Sequence, residues 1–310
     1  MARPGATDML DSWNDGATKS VIVDFVARVT KTGGAGYVPL ADRIATFDND
    51  GTLWCEHPLQ TQVFFLIDHV KDLAAKDSTL RERQPFKALL EHDTATLQTL
   101  GKQGVQELFF ATHAGMTVEA FDRMAREWLS WAKHPKLRRP FTRCIYQPQV
   151  ELLEYLHSNG FRTFIVSGGG VDFIRAFAEE VYGIPRERVV GSSGRLHYEL
   201  QDGRPVLMKA SELGSFDDRE AKPANIGLHI GRRPLLVFGN SDGDLAMMRY
   251  AKAGDGARLA LLLHHDDAER EAAYDRDFRL SPLAEALDKA EQYGITVVSM
   301  RRDWKAVFPD

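Results

Sequence analysis

Residues 43–54 constrain the fold more than any other part of the chain. Residues 44–47, Ile-Ala-Thr-Phe, form a short apolar run with β-branched and aromatic side chains, which predicts a buried β-strand. Two carboxylates, Asp48 and Asp50, follow at once, and Gly51 then lets the chain leave the strand by a turn. Because buried carboxylates are costly unless a cation or hydrogen bonds compensate them, this pattern favours a functional site.

Three interpretations of this acid pair compete. An ordinary polar turn is one, because Asn-Asp and Asp-Gly are common turn residues. An EF-hand calcium loop is excluded, since it needs Gly at its sixth position and Glu at its twelfth, where this chain has Leu53 and Leu59. The third is a carboxylate nucleophile with a second acid beside it and a divalent metal holding both. The stretch alone leaves the turn and the nucleophile open.

Composition narrows the class of protein. The chain has 310 residues, 44% hydrophobic and 27% charged, which is typical of a soluble globular protein with two domains or one core and an insertion. Its net charge of -5 gives no general attraction to nucleic acid or anionic membranes, so neither is an expected partner. Cys55 and Cys144 match no zinc motif and are expected to be free thiols. No signal peptide or membrane span is evident, which predicts a cytoplasmic protein, with a processed secreted form left open.

The order of predicted elements indicates an α/β fold. Residues 1–16 are predicted to be a loose surface arm. The expected strands are residues 44–47, 162–166, 189–190, 234–238, 258–263 and 296–300, with a hairpin at 196–207 and helices at 18–30, 150–157, 171–182 and 222–230. This alternation predicts an open parallel sheet with helices on both faces. Residues 56–142 read as a helical insertion, which would leave residues 1–55 and 143–310 as the core.

Polar side chains follow several of these strands. Ser167 and Gly168 follow one strand, and Asn240, Asp242 and Asp244 follow another. Because ligands bind at the carboxyl ends of parallel strands, these groups are expected to meet the first acid pair at one edge of the sheet.

A lysine at a helix start completes the predicted site. Lys222 precedes Pro223 and would neutralise charge that develops on phosphoryl oxygens. Lys209 is the rival, but it ends the hairpin and does not open a helix, so Lys222 is preferred. The cluster His264-His265-Asp266-Asp267 is expected to be a solvated loop.

Together these groups predict phosphoryl chemistry. Asp48 is the expected nucleophile, and Asp50 the acid that protonates the leaving oxygen and later deprotonates water. Ser167, Gly168 and Lys222 would hold the phosphate, and Mg²⁺ would bridge Asp48 and a phosphate oxygen.

The ordered set resembles the haloacid dehalogenase-like (HAD) hydrolase superfamily. Its first motif, DxDGT, appears at residues 48–52, its second at 164–168, its third at Lys222 and its fourth at 239–244. The insertion after the first motif resembles the helical cap of phosphoserine phosphatase-like members. The resemblance implies a Rossmann-like core, Mg²⁺, an aspartyl-phosphate intermediate, and a phosphate-contacting role for Thr52.

One residue departs from the family pattern. The family usually has an aspartate directly after the glycine of the fourth motif, as a metal ligand, and this chain has Asn240. The expected ligands are Asp48, Asp50, Asn240 and Asp244, with Asp242 as an alternative. Asp50 argues against dehalogenation, since a departing halide needs no proton. A phosphatase acting on a small phosphorylated metabolite is expected; a phosphotransferase or mutase, or a silent phosphate-binding module, remains open.

Overall fold

The structure is a computed structural model that describes residues 9–309, except for the side chains of Thr94 and Gln98. Residues 1–8 of the predicted arm lie outside this part. The remainder of the arm is anchored: Leu10 and Trp13 are fully buried, and the Trp13 ring meets that of Trp304 edge to face at a centroid distance of 6.0 Å. The prediction of a loose arm is therefore wrong for this segment, because an aromatic side chain packs it against the core.

One mixed sheet organises the chain. Its strands are β1 (Ile44–Phe47), β2 (Arg162–Gly170), β3 (Val189–Gln201), β4 (Arg204–Ser215), β5 (Leu236–Gly239), β6 (Leu259–Asp266), β7 (Ala273–Tyr274) and β8 (Thr296–Ser299). Their order is β4-β3-β2-β1-β5-β6-β7, and β8 also pairs with β6. The β3–β4 and β6–β7 pairs are antiparallel, and every other pairing is parallel. The predicted parallel sheet is thus confirmed at the centre, where β1 lies.

Helices surround this sheet. They are α1 (Ala17–Thr30), α2 (Thr61–Lys76), α3 (Phe86–Leu90), α4 (Thr94–Thr112), α5 (Val118–Trp131), α6 (Gln147–Ser158), α7 (Val171–Arg175), α8 (Ala178–Tyr182), α9 (Ala221–Asn225), α10 (Leu245–Lys252), α11 (Glu285–Asp288) and α12 (Met300–Asp303). A π-helical turn at Ile226–Ile230 continues α9. None of the described helices is long and apolar enough to cross a membrane.

Both faces of the sheet are buried. Along β5, Leu236 and Phe238 belong to one hydrophobic cluster, whereas Val237 between them belongs to another. The same alternation occurs along β6, where Leu261 and Leu262 lie in different clusters. Because successive side chains of a strand point to opposite faces, the two clusters are the two sides of the sheet. The continuous apolar strands of the sequence therefore reflect burial on both sides, as in an α/β core.

The residues between β1 and β2 form helices α2 to α6 and no strand. Their aromatic side chains pack directly against the core. The Phe65 ring of α2 stacks on Phe173 of α7 at 5.1 Å, and Trp128 of α5 lies 6.3 Å from the same ring. The apolar side chains of these helices and of one sheet face form a single hydrophobic cluster.

The elements predicted at residues 171–182 and 264–267 differ from the structure. The helix expected at residues 171–182 is divided into α7 and α8. The expected loop at residues 264–267 is also wrong, because β6 continues through Asp266 and His265 is 1% exposed. The His265 ring is satisfied in the interior: Nε2 donates to the Gly51 carbonyl at 2.7 Å, and Nδ1 lies 3.1 Å from the Glu271 carboxylate.

Candidate active site

Asp48 and Asp50 lie at the carboxyl end of the central strand. The Asp48 backbone N–H donates to the Phe238 carbonyl of β5 at 2.9 Å, which continues the sheet by one residue. Gly51 then takes a φ of +74°, a conformation that other residues adopt only with strain, and turns the chain away. Both carboxylates are buried, each 7% exposed. The sheet therefore presents two acids, one residue apart, at its carboxyl edge.

The indole of Trp54 fixes the second acid. Its Nε1–H donates to Asp50 Oδ1 at 2.8 Å, while its ring stacks on Phe177 at 4.3 Å. Burial raises the pKa of Asp50, and the hydrogen bond from Trp54 opposes that rise. A carboxyl group with a raised pKa is suited to carry a proton near neutral pH.

Lys222 reaches the same edge from α9. Its Nζ donates to Asp48 Oδ1 at 2.7 Å, to Asp244 Oδ1 at 2.6 Å and to the Val166 carbonyl at 2.9 Å. All three contacts are buried. Burial lowers the pKa of Lys222, but the Asp244 and Asp48 carboxylates outweigh it and raise that pKa. Burial raises the pKa of Asp48 to about 8, and Lys222 opposes this rise.

The rival lysine has a different place. Lys209 is ion-paired with Asp172, and its Nζ lies 4.4 Å from the centre of the Phe121 ring. Its backbone bonds to Gly115 and Met116, between α4 and α5. Lys209 thus joins the β3–β4 hairpin to the helices that precede β2, and it makes no contact with Asp48 or Asp50 in the described residues.

Ser167 and Gly168 lie within β2, which extends four residues further than predicted. The Ser167 hydroxyl is fully buried and accepts the Gly169 N–H at 3.1 Å. A Cβ placed on Gly169 would lie 3.2 Å from Asp50 Oδ2 and 3.4 Å from Ser167 Oγ. The second motif and the acid pair therefore meet around Gly169.

In the fourth motif, Asn240 and Asp244 face the site, whereas Asp242 does not. Asp244 Oδ2 accepts the backbone N–H groups of Asn240 at 2.9 Å and Ser241 at 3.0 Å, while Oδ1 accepts from Lys222. Both of its oxygens are therefore committed to protein donors. Asp242 accepts backbone N–H groups at residues 284–286, where α11 begins, and so lies outside the site.

Asn240 and Thr52 bond to each other. The Thr52 hydroxyl donates to Asn240 Oδ1 at 3.0 Å, and both side chains are buried. A hydroxyl has one proton to donate. Thr52 therefore links the first and fourth motifs here, and its contact with a phosphate stays a prediction.

Two site residues were not identified as such from the sequence. Lys102 Nζ of α4 lies 3.6 Å from Asp218 Oδ1. Both atoms lie close to Gly243 of the fourth motif. Burial lowers the pKa of Lys102, but Asp218 and Asp48 outweigh it and raise that pKa. Glu56 is fully buried beside Asn240, and burial raises its pKa to about 7. Lys102 stands in no motif, and Glu56 follows the first motif without belonging to it.

Helices α2 and α4 hold the glycine-rich end of β2 from above. Gln62 Oε1 accepts the Gly170 N–H at 2.7 Å, and Gln106 Nε2 donates to the Gly168 carbonyl at 3.0 Å. Both glutamines are 6% exposed. These contacts attach the insertion to the end of β2, on either side of the Gly169 position that meets the acid pair.

The donor set suits a hard divalent cation. Among residues 9–309, no group of three or more His, Cys, Asp or Glu side chains is arranged to hold a metal. What remains beside β1 and β5 is oxygen: the carboxylates of Asp48 and Asp50 and the amide of Asn240. Asp48 Oδ2 has no hydrogen-bond partner in the described part of the chain, so it is available to a cation. Carboxylate and amide oxygens are the ligands that Mg²⁺ takes.

Solved structures of other proteins share this fold. A conserved protein of unknown function from Anaerococcus prevotii DSM 20548 superposes with a TM-score of 0.57 at 16% identity, covering 91% of each chain. A protein of unknown function from Bordetella pertussis Tohama I has a TM-score of 0.53 at 15% identity, covering 83% of this chain and 98% of its own. Both show the same fold.

A third likeness is more distant. A phosphoserine phosphohydrolase-like protein from Francisella tularensis subsp. tularensis SCHU S4 has a TM-score of 0.43 at 18% identity, covering 81% of this chain and 98% of its own. No curated protein matches the sequence. The model of the HAD family, haloacid dehalogenase-like hydrolase, matches residues 45–249, more than half of the chain. The chain therefore belongs to the haloacid dehalogenase-like hydrolases.

Proposed function

We propose that this protein is a Mg²⁺-dependent phosphatase that hydrolyses a small phosphomonoester through an aspartyl-phosphate intermediate. One observation carries the proposal: Asp48, paired with the buried Lys222, stands beside a second acid, Asp50, whose position the Trp54 indole fixes. A nucleophile, a proton donor and a cation thus converge at one sheet edge.

The first step forms a covalent bond to Asp48. A carboxylate oxygen of Asp48 attacks phosphorus, the bond from phosphorus to the ester oxygen breaks, and Asp50 gives its proton to the leaving oxygen. Lys222 stabilises the negative charge at the phosphoryl group. The Ser167 hydroxyl and the Gly168 backbone contact the remaining phosphate oxygens.

The second step restores the enzyme. Asp50, now a carboxylate, takes a proton from water, and the resulting oxygen attacks phosphorus. The bond from phosphorus to Asp48 breaks, inorganic phosphate leaves, and Asp50 is again protonated. One acid serves both steps because its proton is lost in the first and regained in the second.

Asp48, Asp50 and Asn240 would hold the metal, with Asp244 acting through Lys222 and the backbone of Asn240. When bound, Mg²⁺ supplies positive charge that keeps Asp48 ionised and reduces the repulsion between its carboxylate and the phosphate. The available Asp48 Oδ2 supports this assignment, and the contacts of Asp244 with protein donors account for its indirect role.

We assign residues 56–142 as a cap over the site. The contacts of Gln62 and Gln106 with β2, and of Lys102 with Asp218, support this assignment. Because the two acids are 7% exposed, a cap here would shield the aspartyl-phosphate from bulk water.

Release of p-nitrophenol from its phosphate ester tests the proposal. We expect turnover with Mg²⁺, none with chelator, and none in Asp48→Asn. Lys209→Met is the matched control, because it removes a buried, ion-paired lysine away from the acids and should keep kcat. If p-nitrophenyl phosphate and a panel of phosphorylated metabolites were all inert while phosphate bound without metal, the protein would be a phosphate-binding module and the proposal would fail.

A further inference from the structure

Glu56 is a buried acid to which the proposed reaction gives no role. Its Oε1 accepts the Asn240 Nδ2–H at 2.7 Å, and its Oε2 accepts the Ser281 hydroxyl at 2.6 Å. The Tyr274 hydroxyl lies a further 3.3 Å from Oε1. Because an acid is kept in the interior only when hydrogen bonds compensate it, these contacts define one position for the carboxylate.

This position determines which way the Asn240 amide faces. The Asn240 NH₂ group donates to Glu56 Oε1, so the amide oxygen faces away from that carboxylate. On the opposite side, the Thr52 hydroxyl donates to that oxygen at 3.0 Å. Asp244 fixes the backbone N–H of the same residue at 2.9 Å. An amide oxygen keeps a second lone pair, which is available to a cation.

The turn after the acid pair leaves room for this contact. A Cβ on Gly51 would lie 2.1 Å from Asn240 Nδ2 and 2.3 Å from Glu56 Oε1, so a side chain cannot be placed there without separating the two groups. Glycine at position 51 therefore allows both the positive φ and the close approach of Glu56 to Asn240.

We propose that Glu56 is the positioning carboxylate of the magnesium site. It holds the Asn240 side-chain oxygen toward the metal. Because it bonds to Asn240 and not to the metal itself, it also supplies at one remove the negative charge that an amide ligand lacks. This inference rests on the proposed Mg²⁺-dependent function. Groups that bond to metal ligands commonly change metal affinity 10–100-fold when they are removed.

Direct Mg²⁺ binding by calorimetry, without substrate, tests the role. Glu56→Leu, checked for folding by circular dichroism, should weaken the Mg²⁺ Kd at least about tenfold. Asn240→Asp/Glu56→Gln, in which acid and amide exchange places, should bind Mg²⁺ as tightly as the wild type or more tightly. Asp242→Asn is the control, since Asp242 accepts only backbone N–H groups near α11 and should leave Kd unchanged.

Thermal unfolding of the metal-free protein tests the contact between Glu56 and Asn240 independently. Asn240→Asp alone places two carboxylates in contact and should lower Tm, and adding Glu56→Gln should restore it. A folded Glu56→Leu with wild-type Kd, or an Asn240→Asp with wild-type Tm, overturns the inference while leaving the phosphatase proposal intact. A wild type that binds no Mg²⁺ instead overturns the metal dependence itself, whatever the melting series shows.

Discussion

At the scale of single residues, the Trp54 indole sets the proton affinity of Asp50. Trp54→Phe removes the hydrogen bond to Asp50 Oδ1 but keeps an aromatic ring against Phe177. Because that hydrogen bond favours the ionised carboxylate, its loss raises the pKa of Asp50 further. The first step requires Asp50 to be protonated, so the alkaline limb of the pH profile of kcat/KM should move to higher pH.

An alkyl phosphate ester is the substrate for this profile, because its poor leaving group depends on the proton. Phe177→Leu is the control: it removes the stacked ring, keeps the indole N–H, and should leave the limb in place. An alkaline limb that stays fixed in Trp54→Phe, or moves to lower pH, contradicts the assignment of Asp50.

Substitution of each of the two buried lysines, Lys222 and Lys209, distinguishes an effect on stability from an effect on catalysis. Lys222→Met leaves Asp48 and Asp244 without their cation, and Lys209→Met leaves Asp172 without its own. Breaking a buried ion pair costs about 3–5 kcal/mol, so both variants should lose unfolding free energy in urea titrations at neutral pH. The loss in Lys222→Met should shrink as pH falls, because the unpaired Asp48 carboxylate, whose pKa burial already raises, takes up a proton.

Only Lys222→Met should also lose kcat per folded molecule. Retained turnover in Lys222→Met, or equal loss of turnover in both variants, would remove Lys222 from the proposed site.

At the scale of elements, α2 and α4 hold the end of β2 unequally. The Gly170 N–H has Gln62 as its partner, whereas the Gly168 carbonyl accepts from both Gln106 and the Ser192 hydroxyl, the latter at 2.8 Å. Gln62→Leu leaves a buried N–H unpaired and should lower the unfolding free energy by about 1–3 kcal/mol. Gln106→Leu should lower it less, because Ser192 remains. The opposite order in urea unfolding would show that these contacts do not hold the cap to the sheet.

The same scale explains what the sequence could predict. Asp48, Ser167 and Asn240 follow apolar strands, and parallel strands present their carboxyl ends at one edge, so their meeting follows from periodicity and topology. Asp244 was expected near the metal, but its contacts with Lys222 and two backbone N–H groups depend on the loop conformation, which no spacing encodes.

Other features depend on tertiary partners. His265 lies in a polar run that predicts a loop, yet Gly51 and Glu271 satisfy its ring in the interior. Lys102 reaches the site from a helical insertion whose pattern encodes only an apolar face. The two-residue strand β7 is too short to show a period of two.

At the scale of the whole molecule, cap and core share one hydrophobic cluster. We therefore expect them to unfold together. Trp128→Phe/Trp131→Phe removes the tryptophans of α5 and leaves fluorescence reporters only outside the cap, while circular dichroism follows mainly the helices. In that variant the two probes should give the same urea midpoint. A helical transition at lower urea than the fluorescence transition would mean that the cap is a separately stable unit.

The central claim is that Asp48 carries the phosphoryl group, and Asp50→Asn tests it most directly. p-Nitrophenolate leaves without a proton, so this variant should complete the first step, but it lacks the base for the second. Mixing it with p-nitrophenyl phosphate and Mg²⁺ should release one equivalent of nitrophenolate in a burst. Mass spectrometry after acid quench should then find one HPO₃ group on Asp48. A burst with the phosphoryl group on another residue, or steady turnover that leaves Asp48 unmodified, would contradict the account.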